Sequence, residues 1–254
     1  MVPGDSVLHL IVARYRLDLA YDGSAFHGFA RQPSQRTVQG ELERALTKIT
    51  EPVGVECAGR TDAGVHARHQ VVTFETAIPI EADRLAKSLS KLLAPEIVVY
   101  RCEEAAPDFS ARFSATSRRY KYRVLNRPFP DPLRRFSSWH VPEPFDVDAM
   151  NLSTAQLVGV HDFASFCRKA EGRSTVRELL SAAWTSCEED LVIFDVSATA
   201  FCHQMVRSLV AFTVDVGRAR VDASTTTEVL EAKDRNAARG VAPACGLVLW
   251  EICY

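Results

Sequence analysis

The sequence predicts an α+β body of two tandem βαββαβ-like halves, with antiparallel or mixed sheets flanking a central catalytic cleft. Three observations carry that expectation. Short segments alternate apolar and polar residues with period two, the segments between them switch to helical spacing, and the order found in residues 1–107 recurs in residues 108–254. Identity between the halves is not evident, so the duplication rests on pattern alone.

In the first half, Arg14 to Tyr21 places Tyr15, Leu17, Leu19 and Tyr21 on one face and Arg14, Arg16 and Asp18 on the other, which is the period of a half-buried strand. Thr37 to Ile49 changes period, with Val38, Leu42, Ala45, Leu46 and Ile49 on one helical face. Apolar runs at Val53 to Ala58 and Val71 to Phe74 read as strands on either side of a glycine-punctuated loop. A helix follows at Glu81 to Leu93, striped by Leu85, Leu89, Leu92 and Leu93. Pro95 closes it before the strand Ile97 to Cys102.

The second half predicts strand Arg119 to Leu125, helix Asp146 to Val158, and strands near Glu178 to Cys187 and Leu191 to Thr199. Helix His203 to Gly217 and strand Leu247 to Tyr254 complete it. An extra helix, Thr226 to Lys233, opens with Thr225 and Glu228 in capping-box spacing. The proline-rich piece Arg127 to Pro144 reads as a long loop.

Composition bounds the function. The 254 residues are 47% hydrophobic, enough for a substantial core, and the formal net charge of −2 excludes a protein coated in positive charge. A local basic stripe is nevertheless present: between residues 112 and 135, Arg112, Arg118, Arg119, Lys121, Arg123, Arg127, Arg134 and Arg135 face one acid, Asp131. Seven cysteines without a C-x-x-C pair read as free thiols in a reducing compartment, and cytoplasm is the expected location. No targeting triplet opens the chain, and no apolar run approaches the roughly 20 residues that span a bilayer.

The stretch that carries most chemistry is Cys57-Ala-Gly-Arg-Thr-Asp-Ala-Gly-Val-His-Ala-Arg-His-Gln70. It sets one carboxylate, Asp62, among Arg60, Arg68, His66 and His69. Cations favour the charged carboxylate and can also contact phosphate, so Asp62 is a candidate nucleophile acting on nucleic acid. An Asx turn would equally use an Asp there, and His66 with His69 forms an H-x-x-H pair open to a metal-hydrolase reading that lacks a recognisable third ligand.

Tyr120 and Tyr122 share one strand face opposite Arg119, Lys121 and Arg123. They are either core aromatics or, for one at a cleft mouth, a surface on which an extruded base stacks. A phenol with a pKa near 10 is a poor base at neutral pH, although Tyr120 could help remove a proton from the substrate. Arg207 lies in a helix apolar almost all round, where its guanidinium needs a partner or must snorkel to water. Asp62 is a natural partner.

Taken together, these residues resemble the tRNA pseudouridine synthase A family over nearly the whole chain. The landmarks are Tyr21-Asp-Gly-Ser-Ala-Phe-His-Gly28, Thr37-Val-Gln39, Gly59-Arg-Thr-Asp-Ala-Gly-Val-His66, Phe113-Ser-Ala115, Arg119-Tyr-Lys-Tyr122, His161-Asp-Phe-Ala-Ser-Phe166, Ala200-Phe-Cys-His-Gln-Met-Val-Arg207 and Gly246-Leu247. The resemblance implies the pseudouridine synthase fold and isomerisation of uridines in the tRNA anticodon stem-loop. It also implies a homodimer, no metal and no organic cofactor. On it, Asp62 is the nucleophile, Arg207 its charge partner, Tyr120 the contact to the uracil, Arg60 the residue that helps open the RNA, and Leu247 part of the pocket. Arg68 is read as facing the RNA.

The chain departs from the family pattern at Phe29 (usually Trp), His69 (Gly), Gln204 (a second His), Ala211 (Gly) and Arg239-Gly-Val241 (Gly-Pro-Thr). None of these touches Asp62, Tyr120 or Arg207 in the motif. A catalytically silent RNA-binding or RNA-folding protein is the rival reading, and product analysis separates the two where salt-dependent binding does not.

Overall fold

The computed structural model describes residues 12–168 and 172–254. The expectation about a leader falls on residues outside that range. One ten-stranded mixed sheet organises the chain, in the order β4-β1-β3-β10-β5-β9-β8-β7, with β2 beside β3 and β6 beside β5. Its strands are β1 (Ala13–Tyr21), β2 (Glu56–Cys57), β3 (His66–Thr76), β4 (Ile97–Glu104), β5 (Ser117–Asn126), β6 (Trp139–Val141), β7 (Gly159–Asp162), β8 (Val176–Ser186), β9 (Leu191–Ala198) and β10 (Leu247–Cys253). The first half supplies β4-β1-β3 and the second β5-β9-β8-β7. The two sets meet at the C-terminal strand, β10, which runs parallel to β3 and antiparallel to β5.

Register fixes which side chains share a face. Tyr21 opposes Ala67, Ala67 pairs with Leu249, Leu249 opposes Tyr120, and Tyr120 opposes Val196. Directly opposed residues lie on one side of a sheet, so Leu17, Leu19, Tyr21, Tyr120, Tyr122, Phe194 and Val196 line a single face. The helices cover that face. In the first half these are α1 (Val38–Leu46), capped by the Thr37 side chain accepting from Gly40 N at 3.2 Å, and α2 (Ala82–Leu93). They bury Leu42, Leu46, Leu85 and Leu89 against Leu17 and Leu19 in one core.

In the second half, α3 (Val147–Ala155) and α4 (Met205–Gly217) pack together. Asn151 brackets the Trp184 main chain from α3, and Trp184 Nε1 donates to Thr213 Oγ1 of α4 at 3.2 Å. Nearly every side chain of α4 is buried, as its apolar circumference predicts.

Several expectations require correction. β3 begins at His66, not Val71, so the loop around Asp62 is shorter and both histidines belong to a strand. The strand expected over Val53 to Ala58 contracts to Glu56–Cys57, whereas the short strands β6, inside the expected 127–144 loop, and β7 are additional. The capping box at Thr225 does not form. Thr225 is itself helical, with no cap hydrogen bond ahead of α5 (Thr226–Ala232), and the turn before it is capped by Asp222 accepting from Ser224 N at 2.8 Å. All seven cysteines are free thiols. Among the described residues, no helix is long and apolar enough to cross a membrane.

The opposite face of the sheet carries the ion pairs. Arg119 grips Asp195 across β5 and β9 with two bonds of 2.7 Å, and Lys121 Nζ lies 3.4 Å from the same carboxylate. Burial alone raises the Asp195 pKa, but these two cations outweigh it and hold the carboxyl below its ordinary 3.8. A depressed folded pKa contributes stability above the unfolded value and loses it as pH falls through the folded one. Asp195→Asn is therefore expected to flatten the acid limb of the stability curve below about pH 4. Denaturant midpoints measured from neutral to strongly acid pH check this, and an unchanged limb would refute it.

Candidate active site

Asp62 sits on the loop between β2 and β3, and the loop is fastened at several points. Gln70, fully buried on β3, donates from Nε2 to Gly59 O at 2.6 Å and accepts from Gly59 N at 3.4 Å. Tyr21 and Thr61 share a hydroxyl hydrogen bond of 2.8 Å, and Phe29 N donates to Thr61 O at 3.0 Å. The chain before α1 passes so close that a Cβ on Gly28 would meet Thr61 O at 2.9 Å, and Gly28 has φ +92°. Only glycine suits that position. These contacts fix the carboxylate's origin before any substrate arrives.

The carboxylate itself is met from the other half of the chain. Arg207 Nη1 lies 3.3 Å from one Asp62 oxygen, and His203 Nε2 lies 3.3 Å from the other. The Arg207 side chain is 16% exposed and that of Asp62 25%, so the pair is half-buried and open to solvent on one side. Arg207 is held twice: its Nε donates to Ala242 O at 2.7 Å, and its own carbonyl accepts from Ala242 N at 3.0 Å. A guanidinium so anchored fixes the carboxylate's rotamer as well as its charge environment. His203 is brought in by Gln204, whose φ of +63° places a non-glycine residue in the left-handed region just before α4. Such a conformation costs roughly 1–2 kcal/mol and occurs where the surroundings enforce it.

Tyr120 and Leu247 are both buried and lie on one face of the adjoining strands β5 and β10. Tyr120 is buried, edge-on to Phe201 with ring centroids 5.1 Å apart. Burial first, and then the negative charges around it, Asp62 included, push its pKa well above 10. It therefore rests as a phenol at neutral pH, able to stack on a base or to donate a hydrogen bond. Leu247 opposes Tyr122, and Gly246 permits this approach because a Cβ there would lie 2.6 Å from the Tyr122 ring. The Tyr122 hydroxyl donates to Pro243 O at 2.8 Å and is structural.

Of the residues singled out in the sequence, Asp62, Arg207 and Tyr120 are thus brought together, Leu247 lies on the same sheet face as Tyr120, and Arg60 is exposed at the start of the Asp62 loop. Arg68 is not. Its guanidinium lies 4.5 Å from the Trp250 ring, which Lys121 also covers at 4.4 Å on the face opposite Tyr120. The cationic side of β5 likewise turns away from the cleft. His66 Nδ1 accepts from Gly23 N, whereas His69 Nδ1 accepts from Ile252 N, so the H-x-x-H pair has two separate engagements. Among the described residues, no group of three or more His, Cys, Asp or Glu side chains could hold a metal ion.

Two residues escape the sequence reading. His203 is one, its signal being only the four-residue spacing before Arg207. Arg118 is the other: read as part of the basic stripe, it points inward beside Tyr120. There it donates to the carbonyls of Ala58, Arg112, Ala115 and Thr199 at 2.6 to 3.3 Å. No carboxylate pairs with it among the described residues. It ties the strand entering the Asp62 loop to the segment leading to His203, so one half-buried cation braces both segments.

Known proteins resemble this chain over nearly its whole length. Residues 19–114 and 154–254 match the family described as tRNA pseudouridine synthase. A curated relative from Frankia casuarinae, named tRNA pseudouridine synthase A, is 45% identical over 246 residues, covering 96% of this chain and 90% of the relative. Proteins of the same name from Streptomyces griseus and Lacticaseibacillus casei are 44% and 40% identical. They cover 95% and 96% of this chain, and 88% and 100% of their own lengths.

Proposed function

The chain belongs to the tRNA pseudouridine synthase family, and from that premise we propose that it isomerises uridine to pseudouridine in the anticodon arm of tRNA. The observation that supports this most is the placement of one carboxylate, Asp62, with Arg207 and His203 on its two oxygens and Tyr120 near enough to feel its charge.

The reaction breaks the bond between N1 and C1′, turns the base and rejoins it through C5. A detached uracil must be held while water is kept from it, and an apolar wall facing a single acid suits that need. Asp62 supplies the nucleophile, and attack at C1′ or C6, or glycal formation after loss of the C2′ proton, each uses this one group. Arg207 orients it. Tyr120, a phenol in the resting state, stacks on or donates to the uracil. A paired uridine has to leave its helix at a cost of a few kcal/mol, and Arg60 at the rim helps offset it.

The proposal extends to a homodimer located in the cytoplasm and working without metal or organic cofactor. Halves 1–107 and 108–254 contribute the acid on one side, and Tyr120, Leu247 and Arg207 on the other. Mapping pseudouridine in tRNA from cells with and without the gene tests it. Loss of pseudouridine from the anticodon arm is the expected outcome, and an unchanged map would overturn the proposal.

A further inference from the structure

Phe113 presents an apolar ring to water, 76% exposed, on a backbone that is anything but loose. Its N–H and that of Arg112 both donate to Ser110 Oγ, at 3.0 and 3.2 Å, and that hydroxyl donates to Glu56 of β2 at 2.5 Å. Arg118 Nη2 then holds Arg112 O at 2.6 Å together with Ala58 O at 3.1 Å. Since Arg118 precedes Tyr120 on the same face of β5, one side-chain row or roughly 7 Å away, the Phe113 loop is bolted down beside Tyr120. Arg60, two residues beyond Ala58, is exposed at the same edge. The Arg112 guanidinium lies 5.1 Å from the Phe113 ring centroid.

A fixed, water-exposed aromatic contributes little to stability, whereas it is suited to stacking. Every nucleobase offers a π face, and an adjacent arginine serves both the ring and a nearby phosphate. Turning a uridine out of the RNA deprives its neighbours of a stacking partner. Resting on the reading of this chain as a tRNA uridine isomerase, we propose that Phe113, backed by Arg112, is the step on which an unpaired base next to the extruded uridine stacks.

The test is the affinity of the purified chain for an unmodified tRNA transcript at fixed salt, for wild type and for Phe113→Ala, Phe113→Leu and Phe113→Trp. Stacking predicts a rise in Kd of about tenfold for Ala and Leu, with Trp within about twofold of wild type. The exposed position leaves thermal unfolding unchanged in all three. Affinity of the Ala variant within twofold of wild type would overturn the proposal. So would Leu binding as well as Trp, because Leu keeps apolar area without a π face. A changed oligomeric state at unchanged affinity would assign the ring to a second copy and also overturn it. Pseudouridine formation by the wild type, followed in the same samples, tests the isomerase reading separately.

Discussion

Asp62→Asn is expected to bind tRNA as the wild type does and to lose isomerisation by at least about a thousandfold. The amide keeps the size of the carboxylate, so the fastenings at Gly59, Thr61 and Gly28 are untouched and the loop stays in place. What disappears is the nucleophile. RNA affinity rests instead on cations and aromatics at the rim, and Asp62 itself repels phosphate, so binding is unchanged or slightly tighter. Tritium release from tRNA carrying 5-labelled uridine reads the chemical step directly. Substantial release by the Asn variant would remove Asp62 from the nucleophile's role.

Arg207→Met is expected to damage both stability and turnover. The substitution preserves the apolar stem but strands Asp62 without its guanidinium and Ala242 O without its donor. Removing one partner of a half-buried pair costs roughly 2–4 kcal/mol, because the remaining charge and carbonyl are left in a poorly solvated site. The carboxylate also loses its rotamer, so kcat falls well beyond any change in tRNA affinity. A double-mutant cycle separates the two effects. In the Asp62→Asn background the stability cost of Arg207→Met should shrink by about 1 kcal/mol or more, since no charge is stranded. Full additivity in thermal unfolding, or wild-type turnover by Arg207→Met, would show that the pair is incidental.

These expectations depend on contacts of unequal visibility in the sequence. Leu17 and Leu19 on β1 and Leu85, Leu89 and Leu93 on α2 are legible because burial on one face leaves a period, whereas Leu92, read into the same stripe, is exposed at the margin of that face. Arg207 is legible for the opposite reason, as a charge where the helix has no room for one. Its pairing with Asp62 across the two halves follows from the cost of leaving it alone.

Gln70, by contrast, is polar and reads as loop, yet it is fully buried because its amide satisfies both main-chain groups of Gly59. β3 reaches back to His66 because Ala67 pairs with both Tyr21 and Leu249, and His66 with Val248. Arg118 and Arg119 are adjacent and chemically identical, and strand alternation sends one to brace the cleft and the other to Asp195. Composition cannot divide a basic stripe into such roles. Arg68 was placed beside Asp62 by chain proximity, but six residues of turn and strand carry it to the far face over Trp250. His203 meets Asp62 through a left-handed residue, a conformation that the sequence does not announce.

Incubating an unmodified tRNA transcript with the purified chain, with no metal or cofactor added, and mapping pseudouridine at nucleotide resolution tests most directly that this fold holds a complete isomerase. Pseudouridine in the anticodon arm, formed by the wild type and absent with Asp62→Asn, is the predicted result. A transcript that binds at saturating protein and remains unmodified would contradict it.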